Sequence, residues 1–220
     1  MARPSQAQDQ ALLQSGRELF ADAGCAGLSV RKLAEHAGVN PAMFHYHFKS
    51  KELFLRTLLQ QIYEQMFESL QLEATHDGSA LQRLEQSLLA IGRFLGANRP
   101  VIARVWADAQ GGEAVALDFM RANAPRHLFL LMGLLDEAER DGAIAAMPGL
   151  QRFVFLMSSV LAPILIAGGV ANLGVAPVAV AGMLEPQVLS DDALRARIAL
   201  ALKALAPAGP GPRSKGKSHA

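Results

Sequence analysis

The chain has 220 residues, 51% of them hydrophobic, which allows either one large domain or a small one joined to a larger one. Aromatics are scarce at 6% while Ala and Leu dominate, which favours helix over sheet. The single cysteine, Cys25, excludes an internal disulfide and any multi-cysteine metal site.

The formal charge of +1 is unevenly placed. Residues 1–60 carry seven Lys and Arg against five acids, residues 61–206 carry eleven against fifteen, and the tail from Pro207 adds three bases. A mildly basic head on an acidic body suits local contact with phosphates rather than the coating of a polyanion. The polar N-terminus has no apolar run typical of a secretion signal, so the expected compartment is a reducing cytoplasm.

In chain order, Leu12, Leu19, Phe20 and Ala23 recur at helical spacing from about Gln6 to Ala23, with Gly24 placed to end that helix. Ser29 can cap a second helix, whose Val30, Leu33, Ala34 and Ala37 form one apolar stripe. Gly38 ends it at a sharp reversal that needs positive φ. Asn40 caps a third helix and Pro41 takes its first position, where the missing N–H costs nothing. Ser50 caps a long fourth helix that fades near residues 75–78.

Only helices are expected beyond Gly78. They span about Ala80–Ala97, Arg99–Gln110 and Glu113–Asn123, followed by one of about 15 residues from Pro125 to near Asp141. Pro148 opens a long apolar helix with a kink expected at Pro163. A loop rich in Gly, Pro and Ala follows from about Leu173 to Leu189, and Ser190 caps a last helix to Leu205. Phe153 to Leu184 passes 32 residues without a charge. Ser158, Ser159, Pro163, Gly168, Gly169, Asn172, Gly174 and Pro177 interrupt it, so it reads as a core or subunit-interface helix rather than a membrane span.

The segment Ser29–Leu53 carries the chemistry. It joins two short helices through a tight glycine turn, the arrangement of a helix-turn-helix that reads DNA. Phe44 and Phe48, four apart, anchor the third helix. Pro41, Ala42, His45 and Tyr46 occupy the face left for DNA. Ala42 permits close approach and can touch a thymine methyl, whereas His45 and Tyr46 can bond to phosphates or base edges. Asn40 and the helix N-terminus favour a phosphate, Arg31 can reach a guanine or a phosphate, and Lys51 can neutralise another phosphate. His47 is expected to brace the helix. His45 and His47 at i,i+2 do not share a helical face, so no metal site is expected.

The run Ser29, Ala37-Gly38-Val39, His47-Phe48-Lys49-Ser50-Lys51-Glu52 and Leu53 resembles the DNA-binding domain of TetR-family transcriptional regulators. The resemblance covers roughly residues 8–55. It implies an all-α homodimer with three units: a helix-turn-helix domain over residues 1–50, a helical effector-binding and dimerisation domain over 51–206, and a basic tail over 207–220 expected to be disordered. Carried over position by position, it implies DNA contacts at Arg31, Asn40, Pro41, Ala42, Met43, His45, Tyr46 and Lys51. Ala42 replaces a frequent Gly and His45 a usual Tyr, which alters the operator contacts that can be inherited.

The resemblance also implies a small-molecule effector in the C-terminal helices. Candidates for the lining are Tyr63, Met66, Phe67, Phe94, Trp106, Phe119, His127, Met132, Phe155 and Met157, for each of which core packing is the competing explanation. Few charges fall among them, so the effector expected is apolar or aromatic. The helices near 150–171 and 190–205 are the expected homodimer contacts. The implied function is a repressor that binds a palindromic DNA operator and is released by the effector. The alternative is a DNA-binding regulator or architectural protein with no effector. No Walker loop, Gly-x-Ser-x-Gly, His-Glu-x-x-His or cysteine pair suggests an enzyme, and no cofactor is expected.

Overall fold

The computed structural model describes residues 4–207, so all of the basic tail expected to be disordered except Pro207 lies outside the described residues. Those residues are helical throughout, without a strand. α1 (Pro4–Gly27), α2 (Val30–Ala37) and α3 (Pro41–Phe48) lead into the 25-residue α4 (Lys51–Thr75). α5 (Ala80–Ala97), α6 (Arg99–Gln110) and α7 (Ala114–Arg140) follow. α8 (Gly149–Leu156) runs through a π-helical turn (Met157–Leu161) into α9 (Ala162–Leu173), and then come α10 (Val178–Leu184) and α11 (Asp191–Leu205).

The early boundaries follow the expected caps. Ser29, Ser50, Ser79 and Ser190 each accept a backbone N–H of the first turn, and Asn40 accepts that of Ala42. Gly38 adopts φ 66°, ψ 28°, closing α2 where a side chain would be strained.

Three expectations are corrected. Residues 113–141 do not form two helices, because α7 runs through Pro125. Arg121, Ala122, Ala124 and Pro125 all face solvent, where water can satisfy the carbonyl that Pro125 orphans. The disturbance expected at Pro163 appears as the π turn just before it, where the Ala162 N–H reaches back to the Met157 carbonyl. Residues 173–189 are not a continuous loop. Pro177 and Pro186 sit at the openings of α10 and of a π turn (Glu185–Leu189), where proline disturbs least.

Two buried clusters share α4. Phe54, Leu55, Leu58, Leu59 and Ile62 pack with Leu12, Phe20, Leu33, Phe44 and Phe48 of the first three helices, and with Val101 and Val105 of α6. One turn on, Tyr63, Met66, Phe67 and Leu70 join a second cluster with α5, α7, α8, α9 and α11. A helix of this length spans about 37 Å at 1.5 Å per residue, so α4 is a strut from one cluster to the other.

The stretch Gly149–Val170 is long and apolar enough to cross a membrane by length and composition alone. Its Leu156, Val160, Leu161 and Ile164 are instead buried in the second cluster. At its start the buried Arg152 pairs with Asp136, 2.7 Å away, and with Glu139 of α7. Both observations fit a core helix.

Candidate DNA-reading surface and ligand cavity

The third helix is fixed from beneath by aromatics. Phe44 is fully buried, Phe48 nearly so, and their ring centroids lie 5.3 and 4.9 Å from that of Phe54. This locks the opposite face outward. Arg31, Asn40, Pro41, Ala42, His45 and Tyr46 are exposed, Tyr46 at 71%, and Met43 is half-buried. Leaving a tyrosine so exposed on a rigid helix has no packing explanation. His47 is half-buried, and its Nε2 is buried without a partner among the described residues.

Lys49, between α3 and α4, has φ 59°, the only positive φ at a non-glycine position among the described residues. It exposes its side chain beside α3. Arg31, Lys32 and Lys49 enter no salt bridge among the described residues, so their charges are available to phosphates. Lys51 has a second commitment. Its Nζ donates to the Ala26 carbonyl at 2.8 Å, tying the start of α4 to the end of α1.

That end of α1 is gripped from the other side as well. At Gly24 the helix breaks, with φ 63° and ψ −171°, a conformation open essentially to glycine alone. The freed Cys25 N–H donates to Asp108 Oδ2 of α6 at 2.7 Å. Asp108 Oδ1 accepts from Arg104 Nε at 2.9 Å, and Arg104 Nη1 reaches the Asp22 carbonyl at 3.3 Å. A Cβ on Gly24 would lie 2.1 Å from Arg104 Nε, so the glycine also makes room for this clamp. Burial, and then the Asp108 carboxylate, push the Cys25 thiol up to about 12, so it is not a reactive thiolate.

A cavity of about 320 Å³ lies where the two clusters meet. α4 contributes Leu59, Ile62, Tyr63 and Met66, and α6 contributes Val101, Ile102, Val105 and Trp106. Of the ten residues expected from the sequence, Tyr63, Met66, Phe94, Trp106, Phe119, His127 and Met157 line it. Phe67, Met132 and Phe155 do not. Phe67 stacks on Tyr63 at 5.7 Å beneath the Arg126 guanidinium, Met132 faces Gly149 at the α7–α8 contact, and Phe155 packs on the second cluster. The aliphatic lining and Asn123 escaped sequence reasoning, because a Leu or Val beside a cavity has the same spacing as one in a core.

Among the described residues, no Asp, Glu, Lys or Arg lines the cavity. Its polar edge is built by Tyr63, Asn123 and His127. The Tyr63 hydroxyl donates to the Asn123 carbonyl at 2.8 Å and lies 3.3 Å from His127 Nδ1. The Asn123 side chain pairs with Gln60 through two reciprocal amide bonds of 3.0 and 3.2 Å. Burial lowers the His127 pKa, partly offset by a hydrogen bond to the Asn123 backbone, which favours neutral imidazole. Burial also pushes the Tyr63 phenol up to about 12.

A rigid helix with a polar outer face, held against an all-α body that encloses an apolar cavity, defines a helix-turn-helix regulator of transcription. Residues 12–58 match the model of the bacterial regulatory proteins of the tetR family. The chain is 30% identical over 143 residues to the HTH-type transcriptional repressor KstR2 of Mycolicibacterium smegmatis, covering 64% of this chain and 69% of that one. It is 24% identical over 152 residues to a probable HTH-type transcriptional regulator, YttP, of Bacillus subtilis, covering 68% and 73%. The fold also matches a bacterial regulatory protein of the tetR family from Rhodococcus RHA1, with TM-score 0.67, 13% identity, and 94% and 100% of the two chains covered. This chain belongs to the TetR family of DNA-binding transcriptional regulators.

Proposed function

We propose that the protein is an effector-controlled repressor, cytoplasmic and homodimeric, whose two reading helices enter successive major grooves of a palindromic operator. In such a dimer the readers stand about 34–36 Å apart or at a related spacing. Arg31, Asn40, Pro41, Ala42, Met43, His45 and Tyr46 contact the DNA. Lys51 divides its protons between a phosphate and the Ala26 carbonyl.

One observation carries the reading: the cavity is lined by α4 and α6, and both helices also hold the reading unit. α4 follows directly from the recognition helix, and α6 grips the end of α1 through Arg104 and Asp108. An occupant that displaces either helix must re-aim the reader. The effector acts only through its preference for the re-aimed state. The open, largely apolar cavity supports this reading over a regulator with no effector, in which large side chains would fill the space.

The expected dimer surface is an exposed apolar face. Leu150 and Val154 of α8, Leu165 and Ile166 of α9, and Leu200 of α11 are exposed, Ile166 at 64% and Leu200 at 69%. α10 adds Val178, Val180 and Met183. Leaving so many large apolar side chains in water is costly for a monomer.

The test is fluorescence anisotropy with labelled DNA from the protein's own promoter region. The expected result is tight, sequence-selective binding that weakens steeply with salt as several phosphates release their counterions. Absence of sequence preference at physiological salt would sink the proposal.

A further inference from the structure

The cavity's polar edge has one unspent acceptor. The Tyr63 hydroxyl makes its shorter contact, 2.8 Å, with the Asn123 carbonyl; with its proton assigned there, the Tyr63 oxygen accepts from His127 Nδ1 at 3.3 Å, which assigns the ring proton to Nδ1. In the neutral imidazole that burial favours, Nε2 is then a lone-pair acceptor, and it makes no hydrogen bond among the described residues. The rest of the lining offers no substitute. Both amide hydrogens of Asn123 are donated, to Gln60 and to the Phe119 carbonyl, and its oxygen accepts from Gln60 and Arg126. The methionine sulfurs accept weakly, and the Trp106 N–H, a donor only, belongs to a side chain 57% exposed at the cavity rim.

We infer that the cavity selects a neutral ligand: an apolar body bearing one hydrogen-bond donor, a hydroxyl above all, which is read by His127 Nε2. This rests on the reading of the cavity as an effector site. A carboxylate would enter without a counter-charge on the lining and would meet a lone pair at Nε2, paying for desolvation with nothing to offset it. A hydrocarbon would leave Nε2 dry and unpaired. Tyr63, Asn123 and Gln60 act as positioning residues that fix the tautomer. Their bonds reach from α4 to α7, so the acceptor is held across the junction that must move.

The experiment is calorimetric titration of the full chain at neutral pH with 2-naphthol, naphthalene and 2-naphthoate, which share one apolar body. The expected order is 2-naphthol tighter than naphthalene by about tenfold, the worth of one hydrogen bond to a buried acceptor, with 2-naphthoate weakest. His127→Phe should bring 2-naphthol down to the level of naphthalene while naphthalene binds unchanged. His127→Gln, which keeps an acceptor, should restore part of the preference. Thermal unfolding of both variants establishes that they are folded. Equal binding of 2-naphthol and naphthalene by the unaltered protein, or a preference surviving in His127→Phe, would overturn this inference and leave the effector reading standing. Preferred binding of 2-naphthoate would overturn the neutral class. Failure of all three to bind would overturn both readings.

Discussion

Replacing Asp108 by alanine should loosen the joint between α6 and the helix-turn-helix unit. The Asp108 side chain is almost wholly buried and holds two partners: the Cys25 N–H at 2.7 Å and Arg104 Nε at 2.9 Å. Truncation leaves the buried Cys25 N–H without an acceptor, and the loss of such a charge-assisted bond costs about 1.5–3 kcal/mol. The pair with Arg104 adds less, about 1 kcal/mol at most, because the guanidinium is a third exposed and water screens it. The sum, about 1.5–4 kcal/mol, predicts a fall in Tm of about 3–16 °C at roughly 2–4 °C per kcal/mol for a chain of this size. Asp108→Asn keeps an acceptor for the Cys25 N–H and should cost about half as much.

The same joint can be read through Cys25, which is the only thiol and is buried beside the clamp. In the folded protein its pKa is pushed up to about 12, so labelling by a thiol reagent requires opening. If opening becomes cheaper by about 2 kcal/mol, labelling under native conditions should accelerate on the order of 30-fold. An Asp108→Ala protein that melts within about 1 °C of the parent and labels at the parent rate would refute the reasoning.

Tyr46→Ala should weaken operator binding by about 1–3 kcal/mol, at least fivefold in Kd, while stability moves by less than about 0.5 kcal/mol; parallel losses in anisotropy and melting would mark Tyr46 as structural. The double substitution Val154→Glu and Ile166→Glu should yield a monomer by sedimentation at micromolar concentration. Its operator affinity should fall on the order of 100-fold as the two readers lose their linkage, and an intact dimer would place the interface elsewhere. His127 binds its proton more weakly folded than unfolded, so stability falls as pH drops below the ordinary value of 6.5 and stops falling once the lowered folded value is passed. His127→Phe should therefore flatten the Tm–pH curve just below pH 6.5, whereas an unchanged slope would mean the imidazole is solvated.

The reading helix was legible because its signals are local. Ser29, Gly38, Asn40, Pro41 and Ser50 each act within four residues of themselves, and Phe44 and Phe48 lie one turn apart, so spacing alone announces the anchored face. The errors fell where a local signal met a distant circumstance. Pro125 looks like a helix start, and only the solvent on its face makes a through-helix tolerable. Pro177 and Pro186 read as loop residues, yet each sits at a helical opening. The cavity was half legible for the same reason. Met and aromatic residues stand out in a sequence, whereas Val101, Ile102 and Val105 look like any core stripe until α4 and α6 are placed side by side.

The Arg104–Asp108 clamp was not legible at all, and its invisibility follows from what it does. On the sequence it is an unremarkable i,i+4 pair, the kind that on an exposed helix is worth a few tenths of a kcal/mol. Its partner is not a side chain but a backbone N–H 83 residues away, released only because α1 breaks at Gly24. Gly24 read as a helix end, and the helix does break there, with one short further turn running on to Gly27. The break supplies the free donor and the missing Cβ makes room for Arg104, so neither feature has a purpose without the other. Val101, Ile102 and Val105 of the same helix face the cavity. A ligand that shifts α6 therefore moves Asp108, and a shift of 1 Å at a 2.7 Å bond is enough to break it. In the proposed effector-controlled mechanism, this joint is the contact that a shift of α6 would make or break.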